Sequence, residues 1–121
     1  MSVKIYEYKK CSTCQKALKF LEKKKIKFQV IPIVDQPPTV GELKKMLNYI
    51  KADGGTFKNL FNTSGVVYRE MGIADQIKAG MTEVEAIQLL SSNGKLIKRP
   101  FILSNDSGLV GFKEEIWKKT F

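Results

Sequence analysis

Two thiols could do chemistry in this 121-residue chain, Cys11 and Cys14, placed in the run Cys11-Ser12-Thr13-Cys14. A structural zinc site takes four ligands, and with no other cysteine and no histidine the chain cannot complete one by itself. The missing histidine also excludes Ser-His-Asp and Cys-His catalysis. A structural disulfide would close too short a loop to stabilise much. A third reading is two small buried hydrophobes, because free cysteine is often a core residue. That suits Cys14, which falls on the apolar face of a helix, better than Cys11, which lies in the preceding loop after Lys9 and Lys10. Free amides and the positive dipole end at a helix start favour thiolate over thiol, and nearby lysines add to this. The thiolate is the form that attacks sulfur or an oxyanion centre, and a second thiol one helical turn away is close enough to form a disulfide. The spacing therefore marks Cys11 as candidate nucleophile and Cys14 as resolving thiol, with Ser12 and Thr13 at the helix N-terminus beside the thiolate.

A second constellation is Lys98-Arg99-Pro100. A lone arginine is usually a surface charge and a lone proline a loop breaker. If the strand after Pro100 lies beside the first strand, however, Arg99 faces the Cys11 loop, where a guanidinium could bind an anion and favour the thiolate.

The elements that must position these residues follow from patterning. Residues 3–8 alternate and are rich in β-branched and aromatic types, which predicts a strand. Cys14, Ala17, Leu18 and Leu21 recur at helical spacing, giving a helix to about Lys24. Residues 27–34 read as a second strand, and strand-helix-strand in so short a span makes the two strands parallel. After Pro37-Pro38, Thr39 and Glu42 form a capping box that opens a helix with Val40, Leu43, Leu47 and Ile50 inward. Asp53-Gly54-Gly55 ends it as a turn. Short helices follow, including 57–61 and 66–71. Thr82 and Glu85 form a second capping box, on a helix carrying Val84, Ile87 and Leu90. Residues 101–103 and 109–111 are short strands around a hairpin turn at 105–108, and 112–119 is a closing helix with Ile116 and Trp117 available to pack.

Composition sets the outer limits. Apolar residues make up 43% and charged residues 27%, as in a globular protein, and the length suits one domain. The sequence shows no signal peptide and no apolar run long enough to span a membrane, so a cytoplasmic protein with no membrane partner is expected. The net charge of +9 would suit a polyanion, but of 21 cations only Arg69 and Arg99 are arginines. The lysines are scattered, and the densest run, Lys23, Lys24, Lys25 and Lys27, sits where a helix ends. Base readout leans on arginine, so a solvated face is expected and no direct nucleic-acid partner.

Tyr8 to Cys14, the Phe61-Asn62-Thr63-Ser64-Gly65 segment with Tyr68, and Gly94 to Pro100 followed by Gly111-Phe112 together resemble the arsenate reductase (ArsC)/Spx family, in order and spacing over nearly the whole chain. The chain is most similar to short ArsC-like members with a Cys-x-x-Cys motif. The resemblance implies an α/β, thioredoxin/glutaredoxin-like fold, with a mixed four-stranded sheet and an inserted helical subdomain. It divides one domain, 1–121, into a core of about 1–36 and 95–121 and a helical insertion of about 37–94. It makes Arg99-Pro100 the cis-proline loop, implies no bound cofactor or metal, and implies glutathione/glutaredoxin or thioredoxin as electron donor. ArsC enzymes line their pocket with three arginines. Arg99 matches one, but Asn62 and Leu109 fall near the places of the others, which argues against arsenate reduction itself. Spx-type proteins use oxidation of the cysteine pair as a switch and bind the α subunit of RNA polymerase. A glycine in their loop after the second helix touches polymerase, and Gly54 and Gly55 lie in the corresponding region. The chain stops at Phe121, short of the C-terminal extension typical of Spx. The expected function is a thiol-disulfide redox protein acting on an oxyanion or disulfide with glutathione or a redox partner protein; the alternative is an Spx-like redox-sensing regulator.

Overall fold

Alternation along the first strand decides the architecture. In β1 (Val3–Glu7), Val3 and Ile5 are buried with one cluster of apolar residues and Tyr6 with another, so both faces of its sheet are covered. The computed structural model describes residues 3–8 and 11–121. In chain order β1 is followed by α1 (Ser12–Lys23), β2 (Phe28–Pro32) and α2 (Val40–Ala52). A 3-10 turn (Phe57–Leu60), α3 (Val66–Glu70), α4 (Ile73–Lys78), α5 (Glu83–Ser92) and a second 3-10 turn (Gly94–Leu96) come next. The chain ends with β3 (Phe101–Leu103), β4 (Gly108–Val110) and α6 (Glu114–Thr120).

The sheet order is β2-β1-β3-β4, with β1 parallel to β2 and antiparallel to β3, and β3 antiparallel to β4. This βαβ–ββα arrangement is the expected thioredoxin-like fold with its mixed four-stranded sheet. Between β2 and β3 every element is helical. Among the described residues no helix is long and apolar enough to cross a membrane.

On one face, Ala17, Phe20 and Leu21 of α1 and Trp117 of α6 pack on Val3, Ile5 and Ile102. Trp117 meets Phe20, Phe112 and Phe121 edge-on and donates its indole N–H to the Gly111 carbonyl at 3.2 Å. On the other face, residues of α2, α4 and α5 pack on Tyr6, Phe101 and Leu103.

Several expectations are corrected at element ends. Tyr8 lies beyond β1, and Lys27, Ile33 and Val34 lie outside β2. The buried stripe of α2 is Leu43, Met46 and Leu47; Val40, in the first turn, is exposed, and Ile50 is half-buried. In α5 the stripe is Ala86, Ile87 and Leu90, and Val84 stands about 100° off it on the helical wheel, exposed. Ile116 is exposed on α6, whose buried residue is its neighbour Trp117.

Candidate functional site

Cys11 is itself the N-cap of α1. Its backbone is extended (φ −92°, ψ 113°), and its Sγ accepts the Cys14 amide at 3.3 Å. A sulfur thus occupies the place where a helix normally carries Ser, Thr, Asp or Asn. Cys11 is partly exposed, whereas Cys14 is fully buried. Both thiols are free. Burial pushes the Cys14 thiol from its ordinary 9.0 up to about 12. Cys11 adds to that rise, and the Tyr8 amide and Arg99 oppose it.

Tyr8 ties the two thiols to Arg99. Its carbonyl accepts the Cys11 amide at 2.9 Å, and its ring lies 4.6 Å from the Arg99 guanidinium carbon. It follows directly on β1, which pairs with β3, so the chain entering β3 at Arg99 must pass beside it. The Arg99-Pro100 peptide is cis.

Cys11, Thr13 and Arg99 line one open pocket of about 580 Å³. Lys98 and Lys113 contribute charge to its wall, and Asn62 and Ser64 contribute uncharged polar groups. Among the described residues Lys98, Arg99 and Lys113 have no carboxylate within ion-pair reach. The pocket therefore presents one accessible sulfur surrounded by unpaired cations, a setting that favours anionic reactants. Among the described residues no group of three or more His, Cys, Asp or Glu could hold a metal ion.

The other sequence-marked residues are distributed unevenly. Asn62 reaches the Cys11 pocket, but Leu109 lines a neighbouring groove. Ser12 is exposed in the first turn of α1 and does not line the pocket. Gly55 lines the same groove as Leu109, while Gly54 is exposed with φ +88°. Lys9 and Lys10, named for their charge near the thiol, lie outside the described residues. Sequence reasoning missed Tyr8 as a contact of Arg99, and Lys113 as a wall of the pocket. Pairing β1 with the strand after Pro100 would have found the first; nothing in the pattern around Lys113 signals the second.

The ArsC family model matches residues 6–120. The chain is 41% identical over its whole length to the protein YusI of Bacillus subtilis, covering 99% of that protein. It is 31% identical over 106 residues to the global transcriptional regulator Spx of Streptococcus mutans, covering 87% of this chain and 72% of the regulator. A crystal structure of an ArsC-family-related protein from Bacteroides fragilis superposes with a TM-score of 0.90 at 45% identity, covering 100% of this chain and 98% of that one.

Proposed function

Because the chain belongs to the ArsC family, we propose that it is a thiol-disulfide redox protein in which Cys11 is the nucleophile and Cys14 the resolving thiol. The observation that carries this reading is the contrast within one helical turn: Cys11 opens onto the pocket as the N-cap, and Cys14 is buried with its proton held up to about pH 12. The Cys11 thiolate attacks one sulfur of a disulfide, whose other sulfur leaves as thiolate, or attacks an oxyanion centre, from which an oxygen leaves as water; either way a covalent intermediate forms on Cys11. Cys14, one helical turn away, gives up its proton as it attacks the Cys11 sulfur; the bond from Cys11 to the substrate breaks, the reduced product leaves with that electron pair and takes up a proton, and the Cys11–Cys14 disulfide remains. A thiol donor such as glutathione/glutaredoxin or thioredoxin restores the dithiol.

Arg99, held against Tyr8 in the loop of Pro100, serves the same pocket by binding anionic groups of the reactant. Arsenate itself fits this wall poorly. Asn62 is uncharged, Leu109 faces elsewhere, and Lys98 and Lys113 carry charge without the bidentate fork.

A second reading, an Spx-like regulator that binds the α subunit of RNA polymerase, is favoured by the turn at Gly54-Gly55, where Gly54 is exposed and Gly55 half-buried, and by the likeness to the streptococcal regulator. One preparation separates the two. Turnover is measured with arsenate and with small disulfides, and capture on the polymerase α subunit is measured with and without oxidant. Turnover of disulfides without capture is the expected result; oxidant-dependent capture without turnover would move the protein to the regulators.

A further inference from the structure

The Cys11 pocket does not end at Lys113. Lys98, Val110, Gly111 and Lys113 also line a second cavity of about 330 Å³ that reaches Ile50 and Ile116. We propose that the two cavities form one groove whose occupant is a segment of another protein carrying the reacting cysteine, with an acidic residue next to that cysteine and an apolar residue beyond it. This deepens the thiol-disulfide reading and rests on it.

Continuity, charge and exposed apolar surface argue for such an occupant. A small thiol is accommodated within the Cys11 pocket alone and has no use for the adjoining groove. In the groove, Ile116 is 39% exposed on a helix that buries its neighbour Trp117, and Tyr49 and Leu109 add apolar surface. Where the cavities meet, Lys98 and Lys113 have no carboxylate partner among the described residues, so an acidic residue entering there gains charge complementarity. The carboxylate that lines this region, Asp53, belongs to the groove and not to the Cys11 pocket.

Gly111 shapes the junction. It has φ +73°, and a Cβ there would come within 3.0 Å of Lys98 Cε, so the lysine stem lies across the bare glycine. β4, whose three residues line the groove, ends the sheet, with no strand beyond it among the described residues. An extended segment can therefore run along this edge from the sulfur at Cys11 to the surface around Ile116.

The reaction supplies its own reporter. With a peptide whose cysteine carries a thiopyridyl group, the Cys11 thiolate attacks the peptide sulfur. A Cys11–peptide disulfide forms, and thiopyridone leaves with the electron pair of the broken bond. The Cys14→Ser protein stops at this stage, and thiopyridone absorbance gives the rate. Three probes are compared: an activated Cys-Glu-Leu peptide, an activated Cys-Lys-Ser peptide, and a small neutral pyridyl disulfide.

The acidic-apolar peptide should react about tenfold faster than the basic one, an advantage that shrinks at high salt. Ile116→Asp, and separately Ile116→Ser, should remove most of that advantage while leaving the small disulfide within about twofold of its starting rate. Equal rates for the two peptides, with the small disulfide still reacting, would overturn the groove alone. An Ile116 substitution that slows the small disulfide as much as the peptide would do the same. Failure of all three probes to react at Cys11 would overturn the thiol reading and the groove with it.

Discussion

The sheet with its two flanking helices and the helical stretch between β2 and β3 are built under different local rules. In the helical stretch, α2, the 3-10 turn at 57–60 and α5 each open on a threonine capping box, at Thr39, Thr56 and Thr82. The described residues with positive φ in that stretch, Gly54, Gly72 and Gly80, are all glycine. α3 and α4 of the same stretch open on Gly65 and Gly72 with no side-chain cap bond, so what sets the sheet region apart is a sulfur cap and a non-glycine residue at positive φ. α1 is capped by the sulfur of Cys11, α6 starts at Lys113 with no side-chain cap bond, and Lys25 holds φ +57° at the end of α1. Cys11 and Lys113, the residues at which α1 and α6 begin, both line the candidate pocket. The helical stretch contributes an uncharged polar wall to that pocket through Asn62 and Ser64.

The largest expected effect tests the contrast between the two thiols. Three pH units separate Cys14, at about 12, from the ordinary 9.0, which lowers its thiolate about a thousandfold near neutral pH before burial blocks access as well. Brief iodoacetamide treatment of the reduced protein, mapped by mass spectrometry, should label Cys11 and leave Cys14 intact; in denaturant both should label. The shift also has a stability consequence. Folded Cys14 binds its proton more tightly than the unfolded chain does, so its contribution is present below about pH 9 and is lost as pH rises towards about 12. Cys14→Ala should flatten that alkaline decline in a denaturation series. Equal labelling of the two cysteines in the native protein would erase the contrast.

Next in size is a pair of stability measurements, one from each region. Trp117 is 1% exposed, touches three aromatic rings and holds the Gly111 carbonyl, so Trp117→Ala should cost about 3–5 kcal/mol. Thr82→Ala removes one exposed cap and should cost about 1 kcal/mol. Urea denaturation measures both. Similar losses would mean that the caps, and not the aromatic cluster, dominate.

Arg99 comes third. Its guanidinium shares the pocket with Cys11 and lies over Tyr8. Arg99→Ala should slow Cys11 alkylation by an anionic reagent such as iodoacetate by about fivefold, and that by neutral iodoacetamide by less. Arg99→Lys should restore part of the charge effect but not bidentate anion binding. Arg69→Ala, exposed on α3, is the control and should change neither rate. If Arg99→Ala leaves both rates where they were, Arg99 is a turn charge and the pocket's cationic character must come from Lys98 and Lys113.

Much of this was legible in the sequence because it depends on local pattern. The two thiols, the Thr39 and Thr82 caps and the strand identities follow from spacing alone. The third capping box was hidden because Asn59, and not Glu or Gln, answers Thr56. Hydrophobicity puts Val40 inward, makes Val84 part of its helix's apolar set and leaves Ile116 available to pack, but which face of a short helix is covered depends on what packs over it. The stack of Tyr8 on Arg99 joins residues far apart in the chain and depends on the pairing of β1 with β3, which no local pattern displays.

The smallest expected effects probe the local departures directly. Serine is a better N-cap than cysteine, so Cys11→Ser should keep the bond from the Cys14 amide and stabilise the fold by about 0.5–1 kcal/mol, while abolishing thiol exchange. Lys25→Gly relieves a residue held at φ +57° and should stabilise by a similar amount, about 1 kcal/mol. Lys25 follows the C-terminal end of α1, where the Ile26 amide bonds the Leu21 carbonyl at 3.0 Å, at the opposite end of the helix from the thiol. The gain from Lys25→Gly should therefore come with an unchanged rate of Cys11 alkylation. Thermal denaturation paired with that rate separates the two cases: stabilisation with loss of chemistry at Cys11, and stabilisation without it at Lys25. If Cys11→Ser is instead neutral or destabilising, the sulfur was already as good a cap as an oxygen, and the helix start gives up no stability for the thiol.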